Sequence, residues 1–85
     1  MTTTYFVTYI IKTENGRRHL IETPQYETEA EARAHYEYKT TKDNVVEARL
    51  CQRDHYDQEE LMPRAAAAYP YGKDYDRIIN TFTRI

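Results

Sequence analysis

Only sixteen residues of this 85-residue chain carry a large apolar side chain other than tyrosine: three Val, six Ile, three Leu, two Met and two Phe. So few side chains close one thin hydrophobic core, because a domain of this length buries only about 60% of the surface that its unfolded chain exposes. We therefore expect residues 1–85 to form a single domain. A core with so small a margin of stability gains from association, and a homodimer is one way to obtain that gain.

Residue types that are missing or rare exclude several kinds of chemistry. No serine occurs, which removes every serine nucleophile, and only Gly16 and Gly72 are present where a phosphate-binding loop needs several glycines. Cys51 is the single cysteine, so neither an internal disulfide nor a cysteine zinc cluster can form. A lone thiol in a small domain is typical of a reducing compartment, and we see neither a signal-peptide pattern nor a membrane-length apolar run. We expect a cytoplasmic protein that makes no membrane contact.

The first third of the chain predicts a β-hairpin. Residues 3–12 are rich in β-branched and aromatic types, which suit a pleated, half-buried surface. Asn15 and Gly16 follow, and both tolerate positive φ, so a two-residue type I′ turn can return the chain as a second strand over residues 17–23. The register that this turn would set pairs Ile11 with Leu20 and Ile10 with Ile21.

A helix is predicted after Pro24. Thr28 and Glu31 have the spacing of a capping box, with Thr28 as the N-cap, and the helix would continue to about Lys39 or Thr40. Its inward stripe is expected to contain three residues spaced by four, namely Ala30, Ala34 and Tyr38, with Ala32 or Tyr36 at the margin.

The remaining segments add two strands and a short helical region. Residues 45–53 alternate in polarity, with Val46, Ala48 and Leu50 expected on the inner face. Asp57 and Glu60 predict a second capping box, Pro63 the first turn of another short helix, and residues 75–85 a fourth strand. The predicted fold class is α+β, in the order β-β-α-β-(α)-β: a small antiparallel or mixed sheet of about four strands, with one main helix on one face.

The first strand is apolar on both of its faces, which conflicts with a sheet covered by a helix on one side only. Phe6 and Ile10 lie on one face of it, and Tyr5, Val7 and Tyr9 lie on the other. Either the C-terminal segment covers the second face, or that face contacts another molecule.

Few side chains have the spacing that catalysis or metal binding needs. His55 and Asp57 are the best metal candidates, but their spacing matches no established ligand motif. Cys51 near His55 supplies a thiol and a base, yet a cysteine within a strand is more often a small buried apolar residue. We expect neither an enzyme nor a cofactor.

Basic residues offer one alternative function. Arg17 and Arg18 at the hairpin tip, with Arg49 and Arg53 on the third strand, would form a basic stripe beside exposed tyrosines, a combination that binds single-stranded nucleic acid. The net charge of −2 and a pI of about 5.9 argue against it, because nucleic-acid modules normally carry a clear positive excess.

Tyrosines and carboxylates are concentrated after residue 53. Tyrosine is a preferred interface residue because its rigid ring buries a large area at small entropic cost, and surrounding carboxylates attract a basic partner. We therefore predict a surface that binds a basic protein partner. Its expected residues are Asp54, Tyr56, Asp57, Glu59, Glu60, Tyr69, Tyr71, Asp74, Tyr75 and Asp76.

The chain opens with Met-Thr-Thr-Thr-Tyr-Phe-Val and continues through the Asn15-Gly16 turn and the segment from Thr28 to Ala32. With the size, acidity and element order of the chain, these features resemble those of the small accessory proteins of phages and mobile elements, of which anti-CRISPR inhibitors are the best-known functional class. The resemblance implies a non-enzymatic inhibitor or adaptor in the host cytoplasm. Such a protein would bind a nucleic-acid-handling partner, such as a CRISPR effector complex, with carboxylates in the place of phosphates. That class shares no site pattern, so the resemblance assigns no residue.

Overall fold

A computed structural model describes residues 1–84 of the chain. The elements in chain order are β1 Thr2–Lys12, β2 Arg18–Glu22, α1 Glu29–Thr40, β3 Val45–Tyr56, α2 Pro63–Ala68 and β4 Lys73–Thr83. The four strands form an antiparallel sheet in the order β2-β1-β3-β4, and α1 packs on it through β1 and β3. The predicted α+β fold is confirmed, with the sheet antiparallel throughout.

The turn of the β1–β2 hairpin differs from the predicted one. The Gly16 N–H donates to the Thr13 carbonyl over 2.9 Å, and the Thr13 N–H donates to the Arg17 carbonyl over 2.8 Å. Gly16 has a φ of +82°, whereas Asn15 lacks the positive φ that a type I′ turn requires. The loop therefore has three residues and ends in a glycine bulge. The predicted register was wrong by one residue: Ile10 pairs with Leu20, Tyr9 with Ile21, and Ile11 with His19.

Helix α1 begins and ends where the sequence predicted, but it buries a different stripe. The Thr28 hydroxyl accepts a hydrogen bond from the Glu31 N–H over 3.3 Å, so Thr28 is the N-cap. Ala32 and Tyr36 are the buried residues of the helix. The predicted stripe was wrong, because its three members are exposed: Ala30, Ala34 and Tyr38. The Tyr38 ring lies instead beside the Lys42 ammonium, 4.4 Å from the ring centroid.

The core lies between α1 and the centre of the sheet. Val7 and Leu50 are fully buried there together with Ala48 and Val45. Val46, which alternation had placed on the inner face, is only half-buried. A bulge explains the difference: Ile11 pairs with Val45 and Ile10 pairs with Glu47, so Val46 is an extra residue and the inward direction moves to Val45.

The face of the sheet opposite α1, which we call the open face, buries an aromatic ring without a helix. Phe6 is only 3% exposed, although it pairs with Cys51 on that side. The Arg53 guanidinium lies 4.6 Å from the centroid of the Phe6 ring and forms two hydrogen bonds, of 2.8 and 3.0 Å, with the Asp76 carboxylate. This ion pair covers the ring. β4 joins the sheet at its edge, so it extends the open face instead of covering it.

Candidate interaction surface

The connection between β3 and β4 forms the end of the molecule far from the β1–β2 hairpin. Its first part is a 3-10 turn, Gln58–Glu60, closed by a capping box. The Asp57 carboxylate accepts from the Glu60 N–H and the Glu60 carboxylate accepts from the Asp57 N–H, each over 3.0 Å. Pro63 then begins α2, at a position where a missing N–H removes no helical hydrogen bond. The structure confirms both the capping box and the proline start.

Gly72 brings the end of this connection against β3. Its φ is +90°, and a Cβ atom at this position would lie 2.2 Å from the Tyr56 carbonyl oxygen. The Gly72 N–H donates to the Tyr69 carbonyl over 2.9 Å, which closes the last turn before β4. Only glycine permits both the backbone conformation and the close approach.

The structure brings the ten predicted interface residues to one end of the molecule but not to one face. Five lie in the connection: Asp57, Glu59, Glu60, Tyr69 and Tyr71. Three belong to the face that carries α1: Asp54 and Tyr75, which pair with each other, and Tyr56, two residues along β3. The last two lie on the open face: Asp74, paired with His55, and Asp76, paired with Arg53.

Several of the predicted carboxylates are already hydrogen-bonded within the chain. The bidentate contact with Arg53 lowers the pKa of Asp76. Hydrogen bonds from the Gln52 amide and the Thr3 hydroxyl lower the pKa of Asp54. These carboxylates therefore stabilise the sheet as well as contributing negative charge.

An open groove on the α1 side of this end is the most apolar feature of the connection. The rings of Tyr56 and Tyr75 meet edge to face, with centroids 5.4 Å apart and planes at 88°. The groove has a volume of about 380 Å³ and is lined by Tyr56, Glu60, Leu61, Met62, Ala65 and Tyr75. Met62 is 80% exposed and Tyr75 is 47% exposed, so apolar atoms of the groove face solvent.

The aliphatic part of this groove was not among the predicted interface residues. Leu61 and Met62 are adjacent apolar residues between an acidic turn and Pro63. A pair of adjacent large apolar side chains in a polar connection was the available signal, because a contiguous apolar patch with a polar rim marks an interaction site, whereas a single exposed apolar residue does not. The tyrosines of the groove, in contrast, were among the predicted residues.

The contacts of Lys73 show that the rings of Tyr69 and Tyr75 accommodate a cation. Its ammonium lies 4.4 Å from the centroid of the Tyr69 ring and 4.9 Å from that of Tyr75. It donates a hydrogen bond of 3.0 Å to the Tyr69 hydroxyl, and this bond raises the pKa of Lys73. The faces of these rings therefore attract positive charge, as the quadrupole of an aromatic ring predicts.

The four arginines of the nucleic-acid-binding hypothesis do not form one free stripe. Arg17 and Arg18 lie at the hairpin end, whereas Arg53 is paired with Asp76 near the opposite end. Arg49 contacts Glu47 over 2.7 Å. Two of the four arginines are therefore ion-paired within the chain, so less positive charge is available for phosphates than the number of arginines implied.

The side chains considered for catalysis, Cys51 and His55, lie on β3 in different surroundings. Burial raises the pKa of the Cys51 thiol, which makes it a poorer nucleophile. His55 Nδ1 lies 2.7 Å from Asp74 Oδ1, and His55 Nε2 lies 3.0 Å from the Thr4 hydroxyl. This chain of contacts resembles a nucleophile-base-acid arrangement, and its three members lie on the open face of the sheet, outside the groove.

Among residues 1–84, no group of three His, Cys, Asp or Glu side chains has the geometry to hold a metal ion. Neither described helix is long and apolar enough to cross a bilayer. Comparison with protein-family models, with curated proteins and with solved structures finds no match.

Proposed function

We propose that the protein is a non-enzymatic binding module, an inhibitor or adaptor, that docks the tyrosine-lined groove of its β3–β4 end on a basic protein partner. The observation that carries the proposal is the groove itself, with Met62 and Tyr75 exposed beside Tyr56. Tyrosine and methionine are enriched at protein interfaces, because a rigid tyrosine ring buries a large area at small entropic cost and the flexible methionine side chain adapts to irregular pockets.

Charge supports a basic partner. Residues 1–53 contain eight acidic and eight basic side chains, whereas residues 54–85 contain six acidic and four basic ones. The net charge of −2 therefore belongs to the part of the chain that forms the groove. Complementary charge mainly accelerates the encounter and selects the partner. Most of the affinity comes from the groove residues that become buried in the complex.

A cationic side chain of the partner is expected at the rim of the groove. Tyr56 and Tyr75 supply aromatic faces, and Glu60 supplies a carboxylate that also accepts from the Asp57 N–H and contacts the Met1 ammonium. Lys73 already lies over neighbouring rings, which supports the same kind of contact with an arginine or lysine of the partner. The nucleic-acid-handling complexes implied by the resemblance present such basic surfaces, so they are the first candidates to test.

The test measures binding of the immobilised chain to a guide-loaded CRISPR effector complex and to an array of arginine-rich peptides with interspersed apolar residues. We expect Met62→Asp and Tyr75→Ala to weaken binding at least about ten-fold, because they remove exposed groove contacts. Tyr38→Ala is the matched control, since Tyr38 is 56% exposed on α1 and lies outside the groove.

Two results would overturn the proposal. One is that the wild-type chain binds neither probe, and the other is that the groove variants bind as well as the Tyr38 control. A salt-sensitive gel shift with single-stranded oligonucleotides, abolished by Arg18→Glu, would instead favour the nucleic-acid alternative.

A further inference from the structure

The open face of the sheet combines short polar and exposed apolar side chains. Paired residues of an antiparallel sheet share a face, so the register identifies its members. Five are threonines: Thr2, Thr4, Thr8, Thr81 and Thr83. Leu20 is 72% exposed and Ile78 is 51% exposed on the same face. β-branched and aliphatic side chains of this kind suit a face-to-face contact, in which the side chains of two sheets interdigitate.

Charges on the open face are separated between opposite corners. Lys12 and Arg18 are cross-strand neighbours of β1 and β2 at the hairpin end, on the β2 side. Asp74 and Asp76 lie at the start of β4, at the other end and on the other edge, where Asp74 contacts His55 and Asp76 is bound by Arg53. All four residues are exposed. The face therefore has a basic corner and an acidic corner on one diagonal.

We infer that the open face is a homodimer interface, on which a second copy of this chain packs face to face with its strands running in the opposite direction. A two-fold axis in the plane of the contact, tilted from the perpendicular to the strands, brings the basic corner of each copy, Lys12 and Arg18, over Asp74 and Asp76 of the other. The same contact occurs twice, as two-fold symmetry requires. Because these corners are diagonally opposed, their superposition needs strands that cross at a modest angle, as aligned sheets do at about 30°.

The charge balance of the open face favours a second copy over other occupants. Its four basic residues are Lys12, Arg18, Arg49 and Arg53, and its four acidic residues are Glu22, Glu47, Asp74 and Asp76. A face with equal numbers of both signs attracts neither nucleic acid nor an anionic membrane strongly. The diagonal arrangement is self-complementary, and the thin core benefits from the apolar area that a dimer buries.

This interface is independent of the proposed function. The groove lies on the α1 side of the sheet, because Tyr56 and Tyr75 share the face of Asp54. Dimerisation through the open face therefore leaves both grooves accessible, and one dimer presents two docking sites.

The first experiment measures the mass of the full chain by light scattering coupled to size-exclusion chromatography over a range of protein concentrations. The wild type should reach twice its 10.2 kDa. Leu20→Asp and Ile78→Asp should give monomers, and both variants should remain folded because the native side chains are exposed. Met62→Asp is the control, since it adds the same charge to the groove. A wild type that is monomeric up to millimolar concentration, or Leu20 and Ile78 variants that remain dimers, would overturn the inference.

Charge reversal tests the geometry of the dimer. Arg18→Glu alone should weaken self-association about ten-fold or more, and Asp74→Lys alone should do the same, because each places like charges at both corners. An equimolar mixture of the two variants should recover a dimer. The introduced carboxylate of one variant then faces the introduced ammonium of the other, and the second corner keeps its native charges. Arg64→Glu, an equal change on exposed α2, should have no effect. If the mixture remains monomeric while the wild type dimerises, the antiparallel arrangement is wrong.

Discussion

Single residues explain how the Phe6 ring is buried on the open face without a helix. Phe6 stays buried because the Arg53 guanidinium lies over its ring and is held there by two hydrogen bonds from Arg53 to Asp76. A guanidinium suits this role, since it stacks on an aromatic face while its edge binds a carboxylate. Alternation along β1 marked Phe6 as an apolar residue on the wrong face. Alternation did not indicate which side chains cover the Phe6 ring, because Arg53 belongs to β3 and Asp76 to β4.

This arrangement predicts a specific dependence of stability on pH. Arg53 lowers the pKa of Asp76 in the folded state, so the carboxylate contributes stability above its unfolded pKa of about 3.9 and loses it as the pH falls through the folded value. Asp76→Asn should therefore lower the free energy of unfolding at pH 7 by at most about 1 kcal/mol, because the pair is partly exposed. The difference from the wild type should shrink between pH 5 and pH 3, as measured by urea denaturation at each pH.

The control for this measurement is Asp43→Asn, in an exposed turn. Its difference from the wild type should stay near zero across the same range. An Asp76→Asn difference that is constant down to pH 3 would show that the contact with Arg53 does not depend on the charge of Asp76.

At the scale of elements, local signals were predictable and long-range choices were not. Thr28 as N-cap, the Asp57 capping box and the Pro63 helix start all follow from the backbone groups that a helix end leaves free, so they could be read from a few residues. The stripe of α1 was missed because Ala30 and Ala32 begin two stripes with the same spacing. Tertiary packing against the sheet chooses between them.

Strand register belongs to the same class of long-range choices. The hairpin turn gained one residue because Asn15 does not adopt positive φ, and the β1–β3 pairing contains a bulge at Val46. One extra residue reverses the faces of all later positions in a strand, so alternation predicts a strand better than it predicts which side chains point inward.

The two glycines give a matched prediction about the connection that builds the groove. Both have positive φ, but a Cβ at Gly16 meets nothing within 4 Å, whereas one at Gly72 would collide with the Tyr56 carbonyl. Gly16→Ala should therefore cost about 1 kcal/mol of backbone strain, and Gly72→Ala clearly more, about 3 kcal/mol. Urea denaturation of both variants measures the difference. Equal losses would mean that the connection moves away from β3 at no cost.

At the scale of the whole molecule, composition located the end that is rich in tyrosines and carboxylates but could not resolve its faces. The tyrosines and carboxylates after residue 53 do meet at one end, because β3 and β4 are antiparallel neighbours joined by the connection. Their division between the groove and the open face depends on pairing such as Asp54 with Tyr75. Since neighbouring strand residues point to opposite faces, the adjacent Asp74 and Tyr75 belong to different surfaces.

The elongated shape allows solution scattering to identify the dimer interface. The Cα radius of gyration is 15.8 Å, against about 12 Å for a compact chain of this length, and the principal extents are 50 × 27 × 19 Å. With sheets about 10 Å apart, two copies packed on their open faces have centroids about 15 Å apart, so the radius rises by only about 2 Å. Pairing side by side through the β4 edges would separate the centroids by about the 27 Å width and raise the radius by about 5 Å. Small-angle scattering of the wild type and of the Ile78→Asp monomer should therefore show a doubled mass with the smaller increase. The larger increase would assign the interface to the β4 edge instead of the open face.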